Sequence, residues 1–189
     1  MKKVFLSIAT LITAMLFVAC SGGTQSPTIY STVSEASIQP GDSVPSPTGE
    51  IILTVDGNIN QKNSDNGLQF DISTLESLGL VKYDVDDPFG KKNIVYTGVL
   101  ISQILNVAGA SESADTLMLT ALDDYSVDMK VADTVKWPFM IAIQADGEYM
   151  PIDKNGPLLS VIPFNDFTEL DHLTYDSAWV WSLYKITVK

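Results

Sequence analysis

Arginine is missing altogether. The 11 basic side chains among the 189 residues are all lysines, set against 23 Asp and Glu, for a formal net charge of -12. Such a chain repels nucleic acids and anionic membrane faces, so a DNA-binding, RNA-binding or charge-driven membrane role is excluded. It also lacks the planar guanidinium fork that clamps phosphates and carboxylates. Cysteine occurs once, as Cys20, and histidine once, as His172. That leaves no disulfide, no Cys/His metal cluster and no nucleophile–histidine pair. An acidic surface serves solubility by itself and does not imply a cationic substrate.

What is present begins with "MKK" and the apolar run "VFLSIATLITAMLFVAC". A short basic segment, a short hydrophobic core and small residues before a cut describe a signal peptide. The run falls short of the roughly 20 residues that span a bilayer comfortably. Its end, "LFVAC", resembles the lipobox of bacterial lipoproteins. The resemblance makes residues 1–19 the signal peptide and Cys20 the lipidated first residue of the mature chain. The alternative is a soluble secreted protein with a fortuitous cysteine. Ser21, a non-aspartate after the lipidated residue, implies outer-membrane sorting if the organism is Gram-negative. The expected location is therefore the cell envelope, lipid-anchored.

Residues 21–49 are rich in Ser, Pro, Gly and Thr and have no apolar period. With Cys20 they read as a flexible tether, into which Ile29, Tyr30 and Ile38 could bring docking contacts. Residues 50–189 are one domain in length and show no repeat. "EIILTVDG" is a strand ending in a turn. "FDISTLESLG" is a strand end and a short helix, with Ser73 and Glu76 at capping-box spacing and Gly79 at its end. "NIVYTGVLISQILNVAGA" reads as a strand up to Thr97, then a helix capped by Thr97 and ended by Gly109. "DTLMLTALDDYSVDMKV" is a hairpin around Asp123 and Asp124, with Val127, Met129 and Val131 alternating. "PFMIAIQADGEYMPI" and "KNGPLLSVIPF" add strands. "AWVWSLYKITV" alternates through Trp179, Trp181 and Leu183, then shifts phase to Ile186 and Val188, which implies a bulge or bend.

The order of these motifs resembles the sulfite oxidase-like oxidoreductase molybdopterin-binding domain family, across nearly the whole of residues 50–189. The resemblance is carried by "ILTVDGNI", "FDISTLESL", "VYTGVLISQILNVAGA", "LTALDDYSVDMKVAD", "MIAIQADGEYMPIDKNGPLLSVIP" and "WVWSLYKITV". It implies an α+β, mixed strand-rich molybdopterin-binding (sulfite oxidase-like) fold with short helices. Catalytic members hold molybdenum by a pterin dithiolene and one cysteine thiolate, on a loop that corresponds here to "GLVKYDVDDPFGKKNI". That loop has no cysteine. Leu159 stands at the family's arginine, Asn155 at its first glycine, and Asp124 at another usual glycine.

The resemblance outlines a candidate cofactor or ligand rim of Lys91, Lys92, Thr97, Gly98, Tyr125, Asn155 and Gly156. Each residue has a structural reading beside it. The lysines offset neighbouring aspartates, Thr97 and Gly98 open a helix, Tyr125 packs across strands, and Asn155 and Gly156 shape a turn. No metal site is expected. Asp84, Asp86 and Asp87 are weak candidates for a hard cation, whose preferred ligands are oxygens, but they do not have EF-hand spacing. Trp179 and Trp181 are either a stacking platform or part of the core, and His172 lies among acids. No catalytic residue and no cofactor is expected, molybdopterin being the one the resemblance would supply. The reading is a non-catalytic, lipid-anchored binding module for a small molecule, glycan or envelope protein. One alternative is a molybdopterin-dependent oxidoreductase with an atypical metal ligand. The other is a structural or assembly lipoprotein.

Overall fold

The computed structural model describes residues 29–189, so residues 1–19, expected to be a signal peptide, and Cys20 lie outside the described residues. In chain order the elements are β1 (Ser31–Ser34), β2 (Leu53–Gly57), β3 (Leu68–Phe70), α1 (Ile72–Glu76), β4 (Leu80–Asp86), β5 (Asn93–Leu100) and α2 (Ile101–Ala108). There follow β6 (Thr116–Ala121), β7 (Ser126–Lys130), α3 (Val131–Lys136), β8 (Met140–Ala145), β9 (Glu148–Tyr149), β10 (Leu159–Val161), α4 (His172–Tyr175) and β11 (Leu183–Val188). This is the mixed, strand-rich α+β architecture that the sequence implied.

Two sheets carry it. One runs β1-β4-β5-β8-β10, with β9 paired to β8, and its pairings are antiparallel. The other runs β3-β2-β11-β6-β7, in which β2 and β11 are parallel. The strands supply alternating Val, Leu and Ile to a shared core closed by Phe70, Phe139 and Trp179. The chain passes from the first sheet to the second over residues 179–183. Trp181 bridges Leu159 on β10, and the Leu183 amide donates to the Leu158 carbonyl as β11 begins. The phase shift read in "AWVWSLYKITV" is real: the β11 register slips between Leu183 and Lys185.

Four details differ from expectation. Residues 31–49 are folded rather than tether. The strand β1 pairs with β4, Val44 is buried, and the amides of Thr48 and Gly49 donate to the Asp71 carboxylate. Ile29, Tyr30 and Ile38 pack on the core as the docking alternative required. Thr97 caps no helix, because β5 continues through it to Leu100 and α2 starts only at Ile101. The extended run is held by strands on both sides, Thr97 pairing with Lys82 and Gln144. The α1 cap is Asp71, which accepts from the Thr74 amide, rather than Ser73. Val131 opens the short helix α3 instead of ending a strand.

Candidate functional site

Where the chain crosses between the sheets it leaves a cavity of about 750 Å³. Its walls come from the β4–β5 connection (Phe89), the β6–β7 turn (Leu122, Asp123, Tyr125), the turn after β9 (Ile152, Asn155) and the crossover (Asp176, Trp179, Trp181). The aromatic wall is fixed from behind. Trp179, 2 % exposed, meets Tyr96 edge-on at 5.8 Å and stacks with Phe164 at 6.3 Å. Burial, with Asp87 and Asp146 adding to it, pushes the Tyr96 phenol well above its ordinary range, so Tyr96 stays neutral. Nearer the mouth, Phe89 packs edge-on against Trp181 with centroids 4.6 Å apart, yet Phe89 remains 52 % exposed. The Trp179 indole N–H is buried and has no hydrogen-bond partner among the described residues.

Charge in the cavity is one-sided. Its lining residues include Asp123 and Asp176 and no lysine, histidine or cysteine. The Asp123 carboxylate accepts from the Tyr125 amide, and Asp176 lies 2.7 Å from His172 Nδ1. Tyr125 donates its hydroxyl to the Ser177 carbonyl, tying the β6–β7 turn to the crossover.

The structure brings together only part of the candidate rim. Tyr125 and Asn155 line the cavity, and the carbonyl of Asn155 accepts from the Ser182 amide of the crossover. Lys91 faces a separate depression of about 450 Å³ with Asp86, Asp87 and His172, and Lys92 lines neither. Thr97 and Gly98 are enclosed in the β4–β5–β8 ladder, so neither sits on a rim. Gly156 is buried behind Asn155, where a Cβ would meet the Met150 carbonyl at 2.0 Å. Leu159 is likewise no rim residue; it is 2 % exposed within β10.

The acidic stretch is a hairpin rather than an open loop. Asp84 and Asp86 point from β4 to one amide, Asn93 Nδ2, at 3.1 and 3.0 Å. Asp87 turns inward and accepts from the Phe89 and Gly90 amides. Among the described residues, no group of three or more His, Cys, Asp or Glu side chains is arranged to hold a metal. Sequence reasoning weighed Trp179 and Trp181 as a stacking platform but assigned Leu122, Asp123, Ile152 and Asp176 to no site. The Asp123 turn was legible as a turn, but nothing in the sequence placed it beside residues 176–182.

A molybdopterin cofactor is an anion at its phosphate, and its metal takes a protein thiolate in catalytic relatives. The residues of this cavity do not fit that group: among the described residues its lining offers Asp123, Asp176 and aromatic rings, with no lysine and no thiol.

Residues 86–168 match the family described as oxidoreductase molybdopterin binding domain. Among solved structures, the fold is similar to that of the sulfane dehydrogenase SoxCD from Paracoccus pantotrophus, at 16 % identity and a TM-score of 0.54. The match covers 72 % of this chain and 37 % of the other, so this chain spans well under half of that relative's length. No curated protein matches the chain.

Proposed function

We propose a non-catalytic binding module, built on an oxidoreductase molybdopterin-binding domain that residues 86–168 match and held at the cell envelope by a lipid on Cys20. The observation that carries the proposal is the aromatic, carboxylate-bearing cavity between the two sheets. It retains the open volume of a ligand site while offering neither a thiolate for a metal nor a cation for a phosphate. Its size lies within the range of small-molecule sites. Phe89 and Trp181 narrow the mouth without filling it, which favours a ligand site over a purely structural lipoprotein. The anchor rests on the "LFVAC" motif; no helix among the described residues is long and apolar enough to cross a membrane.

One preparation tests both parts. Protein extracted from the membranes of a molybdenum-replete host is expected to contain no molybdenum and no pterin fluorescence, and Cys20→Ser should move it to the soluble fraction. Stoichiometric molybdenum would return the chain to the oxidoreductases. Unchanged membrane retention of Cys20→Ser would remove the lipid anchor.

A further inference from the structure

The cavity's chemistry specifies an occupant more narrowly than its size does. Phe89, Tyr125 and Trp181 share its lining with Asp123 and Asp176, and the nearly buried Trp179 backs it. No cationic side chain lines the same volume. An anionic ligand would meet like charge there. A neutral apolar ligand would leave the two carboxylates desolvated against it. An ammonium ion gains from both features, because ring faces and carboxylates attract positive charge, and quaternary ammonium groups favour aromatic walls. The net charge of -12 adds a long-range field that concentrates cations at the surface.

We infer that the cavity between the two sheets binds an organic ammonium ion, with Asp123 and Asp176 providing the charge complement and Phe89, Tyr125 and Trp181 the aromatic wall. This rests on the binding-module reading above. Asp123 is the clearer contributor, since its carboxylate bonds only a neighbouring backbone amide, whereas Asp176 also engages His172. Neither carboxylate holds the fold by a buried contact, so both can be neutralised without removing core packing.

Choline is a suitable probe, having a trimethylammonium head. Its comparators are the neutral isostere with a tert-butyl group in place of the ammonium, and the corresponding tert-butyl carboxylate. The full chain is reconstituted in phosphatidylglycerol nanodiscs, which contribute no ammonium group, and followed by tryptophan fluorescence and calorimetry. Choline should bind about tenfold more tightly than the neutral isostere, the difference expected of a partly desolvated cation–aromatic site, and the carboxylate should not bind. Asp123→Asn should weaken choline roughly threefold to fivefold without changing the thermal midpoint, and added salt should weaken it further. Equal binding of choline and the neutral isostere, or an affinity unaffected by Asp123→Asn, would overturn the cation inference and leave the binding-module reading standing. Failure of choline to bind also overturns it. Stoichiometric molybdenum and pterin in the same preparation would overturn the module reading itself.

Discussion

Asp71 shows how much one side chain can organise. It accepts from the Thr74 amide and Ser73 hydroxyl on α1, and from the Thr48 and Gly49 amides on the N-terminal segment. Hydrogen bonds from Thr74, from its side chain and then its amide, hold the Asp71 carboxyl well below its ordinary value of 3.8, with Gly49 and Ser73 assisting against burial. A carboxyl depressed in the folded state contributes stability that is fully present above the ordinary value and is lost as the pH falls towards the folded one. Asp71→Ala is therefore expected to cost about 1–3 kcal/mol at neutral pH, through the lost cap and the buried Thr74 amide left unpaired. The measurement is denaturant unfolding from pH 7 down to pH 2. Wild type should lose the more stability on acidification, and parallel curves would contradict the assignment. At the same scale, Asp124 has a φ of 67°, left-handed backbone that Asp tolerates better than most side chains. The family's usual glycine at this position, noted from the sequence, thus has a conformational cause.

At the scale of elements, the middle of β5 is decided by close approach. A Cβ on Gly98 would lie 2.1 Å from the Ile141 carbonyl oxygen and 2.6 Å from the Ala142 Cα on β8. These are backbone atoms of a buried central strand, which no side-chain rotation can clear. Gly98→Ala should destabilise by roughly 3 kcal/mol, the upper end of overpacking effects. A melting temperature within error of wild type would show that the ladder spreads freely here. The functional meaning of "YTGV" changes with this geometry. Its threonine and glycine shape a strand crossing at a β8 register slip, and contribute no donor at a helix start. The end of α2 was legible, because Gly109 supplies the left-handed residue that terminates it. Its beginning was not, because "TGVL" fits either a first helical turn or a buried strand. The choice was made by the β4 and β8 edges, which satisfy its backbone groups.

For the whole molecule, the N-terminal segment belongs to the fold. Edge strand β1 covers β4, and residues 36–38 lie against the end of α1, the Ser37 and Ile38 amides donating to the Ser77 carbonyl. Truncating the chain to begin at residue 50 should lower the melting temperature and promote aggregation, since β4 would become an uncovered edge and Asp71 would lose its Thr48 and Gly49 donors. Scanning calorimetry with light scattering decides it, and an unchanged, monodisperse truncated protein would return residues 31–49 to the role of a spacer. The low apolar periodicity of those residues hid this. They are held by backbone pairing and a few anchors, and neither leaves a repeating pattern in the sequence.

The sequence by itself determined the chemical inventory: no arginine, no thiol beyond Cys20, a single histidine, and a succession of strands whose spacing resembles one family. Those features depend on residue type and local period, and they survive any arrangement in space. Tertiary structure alone decided which residues share a surface. It joined Phe89, Asp123, Tyr125, Asn155, Asp176 and the two tryptophans around one cavity, and it removed Thr97, Gly98 and Leu159 to the interior. The reason is that the cavity forms at the crossing of two sheets, and its walls come from segments about 90 residues apart in the chain at the extreme, Phe89 and Trp181. Contacts at that separation are set by strand register and sheet order, which no local stretch of sequence records.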